Sequence, residues 1–208
     1  MEKWILGITG GVGCGKSTVL QILEQEYHAQ VIQADLVAHE LMRPGQECYQ
    51  KITAAFGTEI LTSEGFIDRK HLGQLIFSDE EKRLLLNSLT HPAVKQEIRR
   101  RTGEDRRPFS VIEAALLWED RYDEICDEIW YIYASRDVRF QRLADSRGYT
   151  KERTRAIMNS QMGEEELRQR CHAVIDNSGT LQETENTLRQ LLRDRAGIRP
   201  SAAGSRHL

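Results

Sequence analysis

The stretch Trp4-Ile5-Leu6-Gly7-Ile8-Thr9-Gly10-Gly11-Val12-Gly13-Cys14-Gly15-Lys16-Ser17-Thr18 decides the fold. It opens with a short apolar run stopped by Gly10-Gly11, which suits a strand buried in a parallel sheet. Gly10 to Ser17 then matches G-x-x-x-x-G-K-[ST] at every fixed position. Successive backbone N–H groups of Gly11, Val12, Gly13, Cys14 and Gly15 turn inward around an anion when few side chains obstruct them. Val19, Leu20, Ile22 and Leu23 follow at helical spacing, so a helix starting near Lys16 adds the positive end of its dipole. In such a loop Lys16 reaches the β- and γ-phosphates of a nucleoside triphosphate, the Ser17 hydroxyl binds Mg²⁺, and Thr18 helps to hold the α-phosphate. The bland alternative is a glycine turn with a chance lysine, but strand, loop and helix in that order favour the phosphate site. Beside Lys16 the Cys14 thiol is open to a lowered pKa. Its plainer reading is a small residue where only the backbone matters.

Outward from this stretch, Val31-Ile32 reads as a second strand ending near Asp35, Phe109-Ser110-Val111-Ile112 as a third, Ile129 to Tyr133 as a fourth, and Ala173-Val174-Ile175 as a fifth. The sequence from Leu36 to about Arg101 is mostly helical, punctuated by Pro44-Gly45 and Ser63-Glu64-Gly65. A charged helical stretch covers Arg136 to about Arg170, and Leu181 to Leu192 is a final helix. Strands separated by helices predict an α/β fold with a five-stranded parallel sheet flanked by helices. The insertion after the second strand is too long for a simple crossover and reads as a substrate-covering subdomain. The expected organisation is a nucleotide-binding core (about 1–35, 108–135 and 172–196), a helical insertion (about 36–107) and a lid (about 136–171). Residues 197–208 read as a disordered tail. Leu84-Leu85-Leu86 reads as core rather than as a membrane or partner face.

The 208 residues carry a net charge of -3, so no global field draws the chain to nucleic acid, and a polyanionic ligand must be met by local Lys and Arg clusters. Cys14, Cys48, Cys126 and Cys171 stand far apart with no C-x-x-C pair. They read as free thiols in a reducing compartment, which points to the cytoplasm and away from a zinc site. No run approaches the roughly 20 apolar residues of a membrane span, and the amino terminus lacks the pattern of a signal peptide. No obligate protein partner is evident.

Several nucleotide-using classes fit poorly. A GTPase needs N-K-x-D after a late strand, and Ile175-Asp176-Asn177-Ser178-Gly179 lacks the lysine. Val111-Ile112-Glu113 is a weak match to the acid-tipped strand of motor and transport ATPases. A small-molecule kinase instead needs a residue to orient the acceptor hydroxyl and mobile arginines to cover the phosphates. Asp35 suits the first role, since ligands of open α/β sheets bind beyond the carboxyl ends of the strands. It equally suits the N-cap of a helix from Leu36 to Met42. Arg136, Arg139 and Arg142 recur every three residues along one helical arc, with Arg147 at its end. Their guanidiniums fit phosphate oxygens, or form a solvated face balanced by Asp137 and Asp145. His91 before Pro92 lines an acceptor pocket or marks the turn into a helix begun by the proline.

Taken together, the ordered motifs resemble the dephospho-CoA kinase family up to about Leu192. They are Thr9 to Thr18, the segment Ile32-Gln33-Ala34-Asp35-Leu36, Pro44-Gly45, Phe56-Gly57, Gly65, His91-Pro92, Leu116-Leu117-Trp118-Glu119, Gln161 and Ile175 to Gly179. The resemblance implies transfer of the ATP γ-phosphate to the ribose 3′-hydroxyl of dephospho-CoA with Mg²⁺, on a sheet core with a helical CoA-binding domain and a helical lid. It implies catalytic roles for Asp35, Lys16 and Arg142, nucleotide contacts through the loop, Arg142 and Asn177, and acceptor contacts through Asp35, His91 and Glu119. Three departures stand out: Gln33 replaces the first Asp of D-A-D, Ala115 replaces a proline, and Ser146 replaces a second lid arginine, with Arg147 one residue late. Rival readings are another nucleoside or nucleotide kinase and a nucleotide-dependent switch.

Overall fold

A computed structural model describes residues 3–114, 116–118, 120–193, 195 and 198. Two compact units are present: Met1–Val31 with Asp105–Leu208, and Ile32–Glu104.

The first unit holds β1 (Trp4–Thr9), α1 (Lys16–Tyr27), β3 (Phe109–Glu113), β4 (Glu128–Tyr133), α6 (Arg136–Arg147), α7 (Lys151–Asn159), α8 (Glu164–Arg170), β5 (Ala173–Asp176) and α9 (Leu181–Leu192). β2 (Gln30–Gln33) spans the passage from one unit to the next. The five strands form one sheet in the order β2-β3-β1-β4-β5. β1 runs parallel to β3 and to β4, and β4 parallel to β5. The strand interiors are mostly apolar, as expected where both sheet faces are covered, with polar residues gathered mainly at the strand ends. Leu6, Ile8, Val111, Trp130, Ile132 and Ile175 pack with Val19 and Leu23 of α1 and with Leu188 and Leu192 of α9. Because β1 is central, the turn at its carboxyl end is held on both sides by paired strands.

The charged helical stretch from Arg136 to Arg170 divides into three helices, α6, α7 and α8. Gly148, at φ 61°, closes α6 in the left-handed conformation that glycine adopts without penalty. The Thr150 hydroxyl then accepts the Arg153 N–H to start α7.

The second unit holds α2 (Ala34–Leu41), α3 (Glu47–Phe56), α4 (Arg69–Phe77) and α5 (Glu80–Glu104). Its own core is Cys48, Ile52, Phe56, Ile60, Ile67, Leu72 and Leu86. His91-Pro92 does not begin a helix; both lie inside α5. Proline lacks an N–H for the carbonyl one turn earlier. The buried stripe Leu86, Thr90, Val94, Ile98 and Thr102, one residue per turn, holds α5 through that gap. The leucine cluster is only partly core: Leu86 is buried, whereas Leu84 and Leu85 are 56% and 41% exposed. Residues 197 and 199–208 of the expected tail lie outside the described residues.

Candidate active site

Between β1 and α1 the chain makes the turn that the glycines foretell. Gly13 and Gly15 take φ of 77° and 86°, left-handed values that other residues rarely adopt. At Gly15 a Cβ would also collide with the side-chain amide of Asn177. α1 begins at Lys16 with Gly15 as its cap and no side-chain bond to its first N–H groups. Those donors are the ones that meet a phosphate at a helix start. Ser17 and Thr18 lie exposed in the first turn.

Lys16 Nζ donates to the Gly10 carbonyl at 2.7 Å and lies 3.6 Å from Glu113 Oε1. Ile8 and Glu113 are register partners across β1 and β3, so the last side chain of β3 arrives beside the end of β1. Only 10% of the Glu113 side chain is exposed, which makes it an effective counter-charge for the ammonium. In sequence Glu113 is only a weak ATPase signal, and its partnership with Lys16 emerges from the pairing of β1 with β3. The acid closing an apolar strand was the available sign.

The loop is also held from outside. Asn177 Nδ2 donates to the Cys14 carbonyl at 2.8 Å, while Asn177 Oδ1 accepts from the Thr184 hydroxyl at 2.9 Å. Arg142 donates to the carbonyls of Cys14 at 3.3 Å and Asn177 at 2.9 Å. Arg139 Nε donates to the Val12 carbonyl at 2.8 Å, and the Val12 N–H donates to Gln161 Oε1 at 3.1 Å. The structure thus gathers Gly11 to Ser17, Arg139, Arg142, Gln161 and Asn177 around one turn. A cavity of about 210 Å³ opens beside it, lined by Thr9, Gly11, Tyr131, Arg136, Arg139 and Gln161 among others. Burial pushes the Tyr131 phenol up to about 12, with Glu164 adding to the shift. Burial also raises the Cys14 thiol and outweighs the nearby Lys16 ammonium, so the lowered pKa open to it from sequence is corrected.

In the other unit, Asp35 is the exposed second residue of α2. It is not the N-cap: that position is Gln33, whose side chain makes no capping bond. Helix α2 starts two residues earlier than its apolar pattern suggests, because Ala34 already turns into the helix and is buried. His91 is half-buried in α5. Glu119 and Ala115 lie outside the described residues. No group of three or more His, Cys, Asp or Glu side chains able to hold a metal occurs among the described residues. No helix among them is long and apolar enough to cross a membrane.

The family model for dephospho-CoA kinase matches residues 4–183. A dephospho-CoA kinase from Carboxydothermus hydrogenoformans is 39% identical over 191 residues, covering 90% of this chain and 92% of that one. Among solved structures, TT1252 from Thermus thermophilus matches with a TM-score of 0.82 and 28% identity over 95% of this chain and 100% of that one. A dephospho-CoA kinase from Campylobacter jejuni matches with a TM-score of 0.65 and 24% identity over 91% of this chain and 97% of that one, a likeness of fold.

Proposed function

The chain belongs to the dephospho-CoA kinase family, and on that premise we propose how its residues divide the work of phosphorylating dephospho-CoA. The enzyme is an ATP-using kinase of the last step of coenzyme A synthesis, and this reading displaces both rivals, a different nucleotide kinase and a switch protein. The γ-phosphate of ATP passes to the ribose 3′-hydroxyl of the acceptor. The loop amides and Lys16 grip the triphosphate, Arg142 and Asn177 complete the nucleotide site, and Asp35 accepts or aims the hydroxyl proton. His91 and Glu119 belong to the acceptor side.

The observation that carries this reading is the Lys16 ammonium, held by the Gly10 carbonyl and Glu113 at the mouth of a glycine-rich turn. That geometry fixes a positive charge where the β- and γ-oxygens arrive. Positioning and charge stabilisation supply most of the catalysis in such transfers. Ser17, an exposed hydroxyl one residue after Lys16, offers the hard oxygen donor that Mg²⁺ takes. When bound beside the phosphates, the cation neutralises their developing charge.

The division of labour assigns residues of about 1–35, 108–135 and 172–196 to the core, about 36–107 to CoA binding and about 136–171 to the lid. Free thiols at Cys14, Cys48, Cys126 and Cys171 suit a reducing cytoplasm. The deciding assay is ADP release from Mg·ATP across a panel of acceptors. We expect release to require dephospho-CoA and the product to be CoA. Equal turnover with adenosine or another nucleoside would overturn the assignment.

A further inference from the structure

We propose that Arg139 is the second guanidinium of the lid that meets the nucleotide's terminal phosphate, taking the part for which position 146 has only a serine. This rests on the kinase reading above. Four arginines lie on α6; Arg136 is exposed at the rim of the cavity, and their surroundings separate the other three. Arg142 donates to the carbonyls of Cys14 and Asn177, which places it on the nucleotide side already assigned to it. Ser146 turns its hydroxyl back onto the Arg142 carbonyl at 2.5 Å. Arg147 is exposed and lies 5.9 Å from the centroid of the Tyr149 ring, on the outer surface of the helix end. Arg139 is 4% exposed and points at the crown of the phosphate loop.

Its placement there is close. A Cβ on Gly11 would overlap Arg139 Nη2, so the guanidinium occupies space that exists because residue 11 has no side chain. Nε holds the Val12 carbonyl, and Nη2 reaches Gln161 Oε1 at 3.4 Å. Glu164 Oε1, 3.6 Å from Nη1, is its ion-pair partner, on a side chain that is 38% exposed. A guanidinium has five N–H donors. The bonds to Val12 and Gln161 engage two of them, and the fork borders the same cavity as Thr9 and Gly11. A buried cation with donors to spare, laid across the loop where a γ-phosphate would sit, is built to receive phosphate oxygens. An incoming phosphate is a stronger acceptor than the neutral side-chain amide of Gln161. The fork therefore transfers its Nη2 bond to the phosphate, while Nε keeps the Val12 peptide in place.

The test compares wild type with R139M, R139K and R147M. Binding of ADP and of a non-hydrolysable ATP analogue is measured by calorimetry, kcat by dephospho-CoA-dependent ADP release, and folding by Tm. R139M should bind the analogue about tenfold more weakly while ADP binding changes little, since only the analogue carries the phosphate in question. Its kcat should fall on the order of 100-fold. R139K should recover part of both, keeping the charge without the planar fork. R147M should match wild type. If R139M does not fold, R139K is judged by the same ratio of analogue to ADP affinity. The proposal is overturned if ADP and analogue weaken equally with kcat unchanged, the mark of a merely structural arginine, or if the loss follows R147M instead. Should wild type itself show no dephospho-CoA-dependent turnover, the functional reading fails, and the two affinities still decide the role of Arg139.

Discussion

At the residue scale, Lys16 and Asp35 make separable predictions because their surroundings differ. Lys16 is a nearly buried cation held by the Gly10 carbonyl and Glu113. Lys16→Ala should lower kcat on the order of 100-fold or more, read as ADP release, since it removes the one ammonium among the charges gathered at the turn. It also leaves Glu113 without its ammonium, so a small drop in Tm should accompany the loss. Asp35 is exposed in the first turn of α2, where a carboxylate contributes at most about 1 kcal/mol to the helix. Asp35→Asn should therefore fold normally, bind ATP as wild type does, and lose most of its turnover. An Asp35→Asn enzyme with wild-type kcat would remove the carboxylate from the chemistry. Lys16 was legible in the sequence because it sits at a fixed offset from an apolar strand in the phosphate-loop pattern, whereas position alone left Asp35 even between capping and base roles and only the resemblance singled it out. Arg139 was not singled out from Arg136 and Arg142, because spacing along a helix gives an arc but not which member is buried. Gln161 is distant in sequence from Val12, and no local pattern ties the two together.

At the scale of elements, α9 matters to the loop although it never touches a substrate in the proposed reaction. Thr180 caps it in a reciprocal box with Glu183, which fixes where the helix begins. That start sets Thr184 one turn on, fully buried, with its hydroxyl on Asn177 Oδ1. The bond orients the amide so that Nδ2 faces the Cys14 carbonyl. Thr184→Val keeps the shape and removes the donor, leaving a buried oxygen unsatisfied. The expected cost is about 1–3 kcal/mol in urea unfolding. A rise in KM for ATP should accompany it as Asn177 loosens, with dephospho-CoA KM unchanged. A stability loss with an unaltered ATP KM would confine α9 to a structural part. The strands and the first and last helices were readable because apolar runs and 3.6-residue periodicity mark them. The lid was legible as a charged helical stretch but its division was not, because its breaks lie in polar residues, where Gly148 and the Thr150 cap carry the signal. The Asp35 capping reading failed for a related reason: Gln33 is not a capping residue type and Ala34 suits any helical position, so neither marks the boundary, and the helix starts upstream of Asp35.

For the whole molecule, the buried titratable groups set how stability changes with pH. Burial raises the Cys126 thiol from 9.0 to about 12 and the Cys171 thiol from 9.0 to about 11. Cys14 shifts the same way for the same reason, and Tyr131 moves from 10.0 to about 12. Below pH 9 these groups are protonated in both folded and unfolded chains and contribute no pH dependence. Above it the unfolded thiols ionise while the folded ones do not, so the unfolded state holds fewer protons and stability falls as pH rises. The slope is at most about 1.4 kcal/mol per pH unit for each thiol. On the acid side, Arg100 lowers Glu97 from 4.5 to about 2, and Arg107 lowers Asp105 from 3.8 to about 2, both chiefly through hydrogen bonds. Their stabilisation is complete above about pH 4.5 and is lost as pH falls toward 2. Tm should thus drop below about pH 4.5 and above about pH 9, and between these limits the half-buried His39, held below its usual 6.5 by burial, adds a smaller loss as pH falls through its range. Cys126→Ala removes one titrating thiol and should make the alkaline limb shallower while leaving the acid limb untouched, whatever its constant cost at neutral pH. An alkaline limb of unchanged steepness in that variant would mean that the fall comes from another group, because a side chain that cannot ionise cannot contribute to the slope.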